Sequence, residues 1–466
     1  MRGDDYEARE FSAGSAKLNY RLLQPANLEA GKKYPLVVFL HGAGERGDDN
    51  KAQLKHGAPA FAKPDVREKF PCFVFAPQCP KDQTWSAVKG WTDAESFQDE
   101  PKPAMKLVLG ALDALTKEFA IDPDRIYVTG LSMGGYGSWD LISRQPEKFA
   151  AAIPVCGGGD KDKAAVAKGV PVWAFHGLAD DVVSPARSQE MVTALRAAGG
   201  SAVLTEYPGV AHDSWTFAYS EPNLLPWLFA QRRGEPTQKM ELATSQFTAL
   251  AMPPENVFPG AGPLQMAPWF QKLWMMRRLE FSKNTGREQR TVVFFGDSIT
   301  QGWDTLANDF PNLKVVNRGI SGDTSRGLRY RVKEDVLDLH PRIVSLLIGT
   351  NDLALGGTPA QVIDNIRAIA AELGKQNRNT RIVLNLVMPR GPKPGVFPEK
   401  IRALNALIED FAKQEPRIVV CDTWSIFDDG TGSCKKEEFR DMLHPNKVGY
   451  AKWKSALNEV FAQLKL

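Results

Sequence analysis

VTGLSMGGYGSW, from Val128 to Trp139, closes an apolar run and sets a serine between glycines: Gly130-Leu131-Ser132-Met133-Gly134. RIYVT before it reads as a strand and GGYGSWDLI after it as a helix, so the serine falls on the turn between them. A G-x-S-x-G turn at that place is a sharp elbow that exposes the serine side chain, and the flanking glycines permit its strained backbone. A strand that feeds a helix in this way belongs to a parallel sheet covered by helices. The serine hydroxyl is a poor nucleophile at its ordinary pKa. It needs a base, a group that orients the base, and donors for a developing oxyanion.

Outward from the elbow the same rhythm continues. AKLNYRLL, YPLVVFLHG, FPCFVFAPQ, AAIPVCGG, VPVWAFHG and SAVLTEYPG read as further strands, with helical patterns such as Met105 to Ala120 and Pro185 to Gly200 between them. The helix LPWLFAQRR closes this unit, expected over residues 1–235. Residues 236–265 break the pattern, and PPENVFPGAGPL within them is a Pro/Gly-rich connector. After a helix at PWFQKLWMMRRLEF the rhythm resumes over 266–466, with strands TVVFFG, KVVNRG, RIVSLLIG, RIVLNLVMP and RIVVCDTW. The fold class is therefore α/β, in two domains with no internal repeat.

In an elbow of this kind an acid and then a histidine follow the serine. The chain has 6 histidines: His41, His56, His176, His212, His340 and His444. Of these, His176 and His212 lie between Ser132 and the connector. His176 ends VPVWAFHG and shapes the turn that presents an aspartate. His212, in YPGVAHDSW after the last strand, stands where the base belongs. Asp180 is the preferred acid and its neighbour Asp181 the alternative. The oxyanion donors are the backbone N–H of Met133 and one from His41-Gly42-Ala43-Gly44, where Ala43 is preferred to Gly44. His41 holds that loop. His56 and His340 read as loop residues.

HGAGERGDDN, GLSMGGYGSW and HGLADDVV make the part from Glu7 to Arg233 resemble the α/β-hydrolase esterases related to polyhydroxybutyrate depolymerases, feruloyl esterases and acetylxylan esterases. The resemblance implies an α/β-hydrolase fold and serine ester hydrolysis. It does not specify the acyl group.

A second serine follows another apolar run in FFGDSITQGW, Phe294 to Trp303. Downstream come NRGISGDTSRGL, IGTND and DMLHPN, in that order. Asp441-Met442-Leu443-His444 sets an acid and a base one helical turn apart, so one short segment delivers both to Ser298. These four ordered blocks, Phe294 to Asn446, resemble the SGNH (GDSL-type) hydrolases. That resemblance implies a flavodoxin-like α/β/α domain in which Ser298 is the nucleophile, His444 the base and Asp441 its orienting acid. It also implies that Gly322 N–H, the Asn351 side-chain amide and Ser298 N–H receive the oxyanion.

Composition sets the outer limits. The chain has 466 residues, 43% hydrophobic and 24% charged, enough for two cores. Lys+Arg 58 against Asp+Glu 55 gives +3 with the signs interleaved, which argues against a nucleic-acid partner. No apolar run reaches the roughly 18 to 20 residues that span a bilayer. The 5 cysteines are too few and scattered for a disulfide scaffold or a zinc site, and Cys72, Cys79 and Cys156 beside apolar runs read as buried free thiols. No His/Cys/carboxylate cluster outside the two triads has ligand spacing. No metal and no cofactor are expected.

Trp85, Trp91 and Trp215 fall on loops of the first half and are candidates to stack on sugar or aromatic acyl groups. Two acyl-transfer centres on one chain suit a substrate with two kinds of ester. The expected partner is an acylated polysaccharide or oligosaccharide such as xylan, from which the chain removes feruloyl groups, acetyl groups or both. A general short-chain or lipid esterase is the alternative. A secreted or periplasmic protein whose signal peptide lies outside this sequence is the expected setting, with the cytoplasm as the alternative.

Overall fold

A computed structural model describes residues 5–87, 99–238, 250–393 and 395–464. The chain divides into two compact units, Met1–Ala249 and Leu250–Leu466. The first holds an eight-stranded sheet: β1 (Tyr6–Ala13), β2 (Ala16–Leu23), β3 (Tyr34–Leu40), β4 (Phe73–Pro77), β5 (Ile121–Leu131), β6 (Ala151–Val155), β7 (Val172–Gly177) and β8 (Ala202–Tyr207). Their order is β1-β2-β4-β3-β5-β6-β7-β8. β1, β2 and β4 pair antiparallel, and the pairs from β4 to β8 are parallel.

The central strands are apolar from end to end because helices cover both faces. Every residue of β3, YPLVVFL, is buried, as is every residue of β4, β6 and β7. β1 was not apparent in the sequence. Its YEAREFSA buries Tyr6 alone, and its place comes from eight Cα pairings with β2 rather than from a core face. An edge strand with both faces largely wet carries no hydrophobic period to read.

The second unit is a five-stranded parallel sheet, β9 (Val292–Gly296), β10 (Val315–Gly319), β11 (Ile343–Leu347), β12 (Arg381–Asn385) and β13 (Ile418–Cys421), in the order β10-β9-β11-β12-β13. One core lies between the sheet and the helices Ser325–Asp335, Pro359–Gln376 and Pro398–Gln414. The other face is covered by the helix Lys447–Gln463, through Trp453, Leu457 and Phe461.

Of the connector expected over 236–265, residues 239–249 lie outside the described residues. The stretch from Leu250 onward is fastened to the second unit. Met252 and Phe258 are buried with Phe270, Trp274 and Ile320, and Arg326 donates to the carbonyls of Glu255, Phe258 and Gly262. Asn365 donates to Ala261 O at 2.9 Å. Among the described residues no helix is long and apolar enough to cross a membrane, and all five cysteines are free and buried.

Candidate active sites

In the first unit the functional side chains gather at the carboxyl ends of the parallel strands. Ser132 follows β5, the His41–Gly44 turn follows β3, Asp180 follows β7 and His212 follows β8. The elbow places Ser132 at φ 53° and ψ −119°, a conformation that costs a residue with a Cβ of order 1–3 kcal/mol. The glycines serve a different purpose from the one read in the sequence. Neither Gly130 nor Gly134 is left-handed, but a Cβ on Gly134 would stand 1.9 Å from Leu40 O, and one on Gly130 2.3 Å from Gly134 O. They are glycine because backbone passes over backbone, while the serine carries the strain.

His212 Nε2 lies 2.9 Å from Ser132 Oγ, and His212 Nδ1 lies 2.8 Å from Asp180 Oδ2 and 3.0 Å from Oδ1. Asp181, the alternative acid, points to solvent. Asp180 also accepts from Val182 N–H and Val183 N–H and has His176 Nε2 at 3.2 Å from Oδ2. Burial raises its pKa, but His176, His212 and the Val183 N–H outweigh burial and hold it well below the ordinary carboxylate range. The carboxylate is thus ionised beside His212 and fixes the imidazole with Nδ1–H toward the acid and Nε2 free to accept the serine proton.

Met133 opens the helix Met133–Arg144, so its N–H has no acceptor within the helix. Ala43 opens a short 3₁₀ helix in the facing turn. His41 supports that turn. Its Nε2 accepts from Cys79 N–H at 2.9 Å, and burial pushes it down to about 4, so it is neutral. Trp85 corrects an expectation. It is fully buried, donates from Nε1 to His41 O at 3.0 Å and packs on the His41 ring, so it buttresses the turn and cannot reach a substrate. Trp91 lies outside the described residues. Trp215 is half-buried and meets the His212 ring edge-on at 5.4 Å between centroids.

Cys156, Asp180 and His212 form the one group among the described residues with metal-ligand spacing, their ligand atoms within 4.8 Å of one another. Burial, and then the Asp180 charge, push the Cys156 thiol far above its usual range. A thiol that stays protonated is a poor ligand, and the other two members already bond each other.

In the second unit the site lies where the strand order reverses, beyond the ends of β9, β10 and β11. His444 Nε2 is 2.8 Å from Ser298 Oγ and His444 Nδ1 is 2.6 Å from Asp441 Oδ2. The Asp441–His444 segment is not a helical turn, as its spacing had suggested. Asp441 Oδ1 accepts from Leu443 and His444 N–H, and Met442 at φ 60° reverses the chain before the helix Lys447–Gln463. Partial burial raises the Asp441 pKa, but the His444 hydrogen bonds outweigh it and leave the carboxyl below its ordinary range.

Asn351 spends one amide hydrogen on Asp323 O at 3.0 Å, which fixes the amide plane beside Gly322. Gly322 has φ +89°, and a Cβ there would collide with the Trp269 ring at 2.7 Å. Trp269, 54% exposed, therefore rests directly on Gly322, the glycine expected to donate to the oxyanion. Sequence reading missed it because it opens a helix that looked like structural packing after the connector.

It also missed the supports within the motif blocks. Arg331 donates to Asp323 and to Gly296 O, and Asp352 accepts from both the N–H and hydroxyl of Ser325. The charges in GDTSR and TND were visible, but not their partners.

Comparison with known proteins agrees with this division. The sequence model of the dienelactone hydrolase family matches residues 83–227, and that of the GDSL-like lipase/acylhydrolase family matches residues 294–452. The alpha1 subunit of platelet-activating factor acetylhydrolase IB from Bos taurus is 29% identical over 198 residues, 41% of this chain and 83% of that protein. A thermostable esterase of known structure is 42% identical, with a TM-score of 0.46. The match covers 49% of this chain and 64% of the esterase, less than two thirds of its length. A GDSL-like lipase from Bacteroides thetaiotaomicron is 28% identical over 40% of this chain and 97% of its own, with a TM-score of 0.37. The chain thus joins an N-terminal α/β-hydrolase domain of the dienelactone hydrolase kind to a C-terminal GDSL-like lipase/acylhydrolase domain, two hydrolase domains of the esterase and acylhydrolase kind.

Proposed function

We propose that the chain is a serine ester hydrolase with two independent active sites that act on acylated plant cell-wall polysaccharide such as xylan. Ser132 releases feruloyl or acetyl groups and Ser298 releases acetyl groups. The observation that carries this reading is that each serine sits at hydrogen-bond distance from a histidine bonded to an aspartate, with a tryptophan beside the site: Trp215 against His212, and Trp269 against Gly322.

At the first site His212 Nε2 takes the Ser132 proton as Oγ attacks the ester carbonyl, and Asp180 stabilises the imidazolium that forms. The N–H groups of Met133 and Ala43 receive the oxyanion. His212 then returns the proton to the departing alkoxide, and a water activated by the same nitrogen hydrolyses the acyl-enzyme. At the second site Ser298, His444 and Asp441 repeat these steps. The N–H groups of Ser298 and Gly322 and the Asn351 amide serve as donors, each such donor worth about 3 to 4 kcal/mol to the transition state. No metal or cofactor enters either cycle.

A second reading has its own support. The relatives of the second domain carry the name acetylhydrolase with platelet-activating factor as the substrate. This supports acetyl as the acyl group and leaves a lipid alcohol as the rival to a sugar. The test is to give the Ser132→Ala and Ser298→Ala proteins acetylated, feruloylated arabinoxylan and, separately, an acetyl glycerophospholipid, and to quantify acetate and ferulate. Acetate from arabinoxylan by the Ser132→Ala protein, and ferulate or acetate by the Ser298→Ala protein, is the expected result. Acetate from the lipid alone would overturn the carbohydrate reading.

A further inference from the structure

Glu45 and His56 stand beside the first site without a part in the Ser132–His212–Asp180 chemistry. Glu45 ends the short helix Ala43–Glu45 that follows the Gly42 turn. Its side chain is only 9% exposed, and its Oε2 lies 3.0 Å from where a Cβ on Gly42 would be. Among the described residues its one basic neighbour is His56, with Nε2 at 3.9 Å from Oε1, beyond hydrogen-bond length. No described residue donates a hydrogen bond to either carboxylate oxygen. A carboxylate that is mostly enclosed, has no protein donor and still reaches solvent beside a site is open to hydroxyl donors from a ligand.

His56 is held in place by the core. Its carbonyl accepts from Ala58 N–H at 2.7 Å, and Gly57 at φ +68° passes so close to Phe39 and Tyr219 that a Cβ would stand 2.5 Å and 2.7 Å from their rings. The His56 ring lies 5.4 Å from the Trp215 ring, which itself lies 5.4 Å from the ring of His212. Trp215, His56 and Glu45 therefore form a chain of contacts that starts on one side of His212. That side is defined chemically. His212 must protonate the departing alkoxide, so the alcohol half of the ester leaves within reach of Nε2.

We propose that Trp215, His56 and Glu45 form the subsite for the alcohol half of the ester, and that they take a polyhydroxylic, sugar-like alcohol. A ring hydroxyl donates to the Glu45 carboxylate, His56 holds a second hydroxyl, and the apolar face of the sugar stacks on Trp215. The inference rests on the sugar-ester reading of the first site. It adds the residues that choose the alcohol.

The test uses the full chain with Ser298→Ala, so that all turnover comes from Ser132. It compares acetylated xylobiose with p-nitrophenyl acetate, which shares the acyl group but has no hydroxyls to offer. Glu45→Gln and His56→Ala are expected to lower the ratio of kcat/KM for the sugar ester over the phenyl ester by about tenfold or more, through KM, as befits a lost charge-assisted hydrogen bond. An equal loss on both substrates means a structural role and overturns the proposal. So does an unchanged ratio in a parent that cleaves the sugar ester.

Unacetylated xylobiose, assayed as an inhibitor of p-nitrophenyl acetate hydrolysis, separates this proposal from the reading beneath it. If the parent cleaves no sugar ester but xylobiose inhibits it and not the variants, the subsite stands and the assigned reaction falls. If xylobiose inhibits nothing and no sugar ester is cleaved, both fall.

Discussion

Asp180 and Asp297 are both buried, and their surroundings push them in opposite directions. Asp180 has two imidazoles and two backbone N–H groups around it and is held ionised. Asp180→Asn removes the charge that stabilises the His212 imidazolium and favours the wrong tautomer, so kcat at the first site should fall by about ten-thousandfold in single-site assays. The carboxyl is depressed in the folded state, so its stabilisation is present above the ordinary carboxylate range and disappears as pH falls through its folded value. The melting temperatures of the parent and Asp180→Asn proteins should therefore differ most near neutrality and converge in acid.

Asp297, next to Ser298, is pushed up to about 7 by burial, with only the Ile299 N–H bonded to Oδ1 and no partner for Oδ2. Here the sign reverses. The stabilisation belongs to the neutral acid, is complete below about pH 4 and is lost as pH rises through about 7. Calorimetry of the second unit's transition should show its midpoint falling over that window, and Asp297→Asn should flatten the fall. Asp323 and Asp352, each raised to about 6 by burial, would keep part of the slope. An identical slope in the variant would remove Asp297 from the account.

At the scale of elements, the strand–elbow–helix unit places Ser132, the proposed nucleophile, and its tolerance is set by clearance. Gly134→Ala would drive a Cβ into the Leu40 carbonyl, with 1.9 Å to the oxygen and 2.5 Å to the carbon. Both obstacles are backbone of the central strand β3, so no side-chain rotation relieves the contact. The substitution should destabilise the first unit by about 3 kcal/mol and disable Ser132, while Ser298 turns over as before. Urea unfolding followed with separate activity assays for the two sites would measure this. A variant with normal Ser132 activity would mean the elbow can shift in a way the close packing does not suggest. The second unit solves the same task without an elbow. Ser298 opens the short helix Ser298–Gln301, with Asp297 as its cap, and the Met442 reversal brings acid and base back to it.

For the whole molecule, each compact unit contains its own hydrogen-bonded Ser–His–Asp set, and no residue is shared between them. Activity on a substrate that both sites accept should therefore be additive. With p-nitrophenyl acetate, the rates of the Ser132→Ala and Ser298→Ala proteins should sum to that of the parent. The double variant should lose about a thousandfold or more. If either single variant abolishes all hydrolysis, the sites are not independent.

Features that depend on local order along the chain were legible from the residues alone. Fully buried parallel strands such as VVFFG and YPLVVFL need unbroken apolar runs, so the two α/β domains were legible, and so was the elbow around Ser132. The ordered blocks from FFGDSIT to DMLHPN likewise made the second domain recognisable. What depends on partners distant in the chain was not legible. β1 is held by pairing rather than by an apolar face, and Trp85 looked available until the His41 turn was packed on it. Residues from Leu250 onward read as a connector because their buried partners, Trp274, Arg326 and Asn365, come later in the chain. The choice of Asp180 over Asp181 turns on which carboxylate faces His212, and adjacent residues in a turn differ in direction rather than in composition. Glu45, His56 and Trp269 gained their places beside the two sites only when folding brought separate loops together, because proximity in space leaves no period or spacing in the chain.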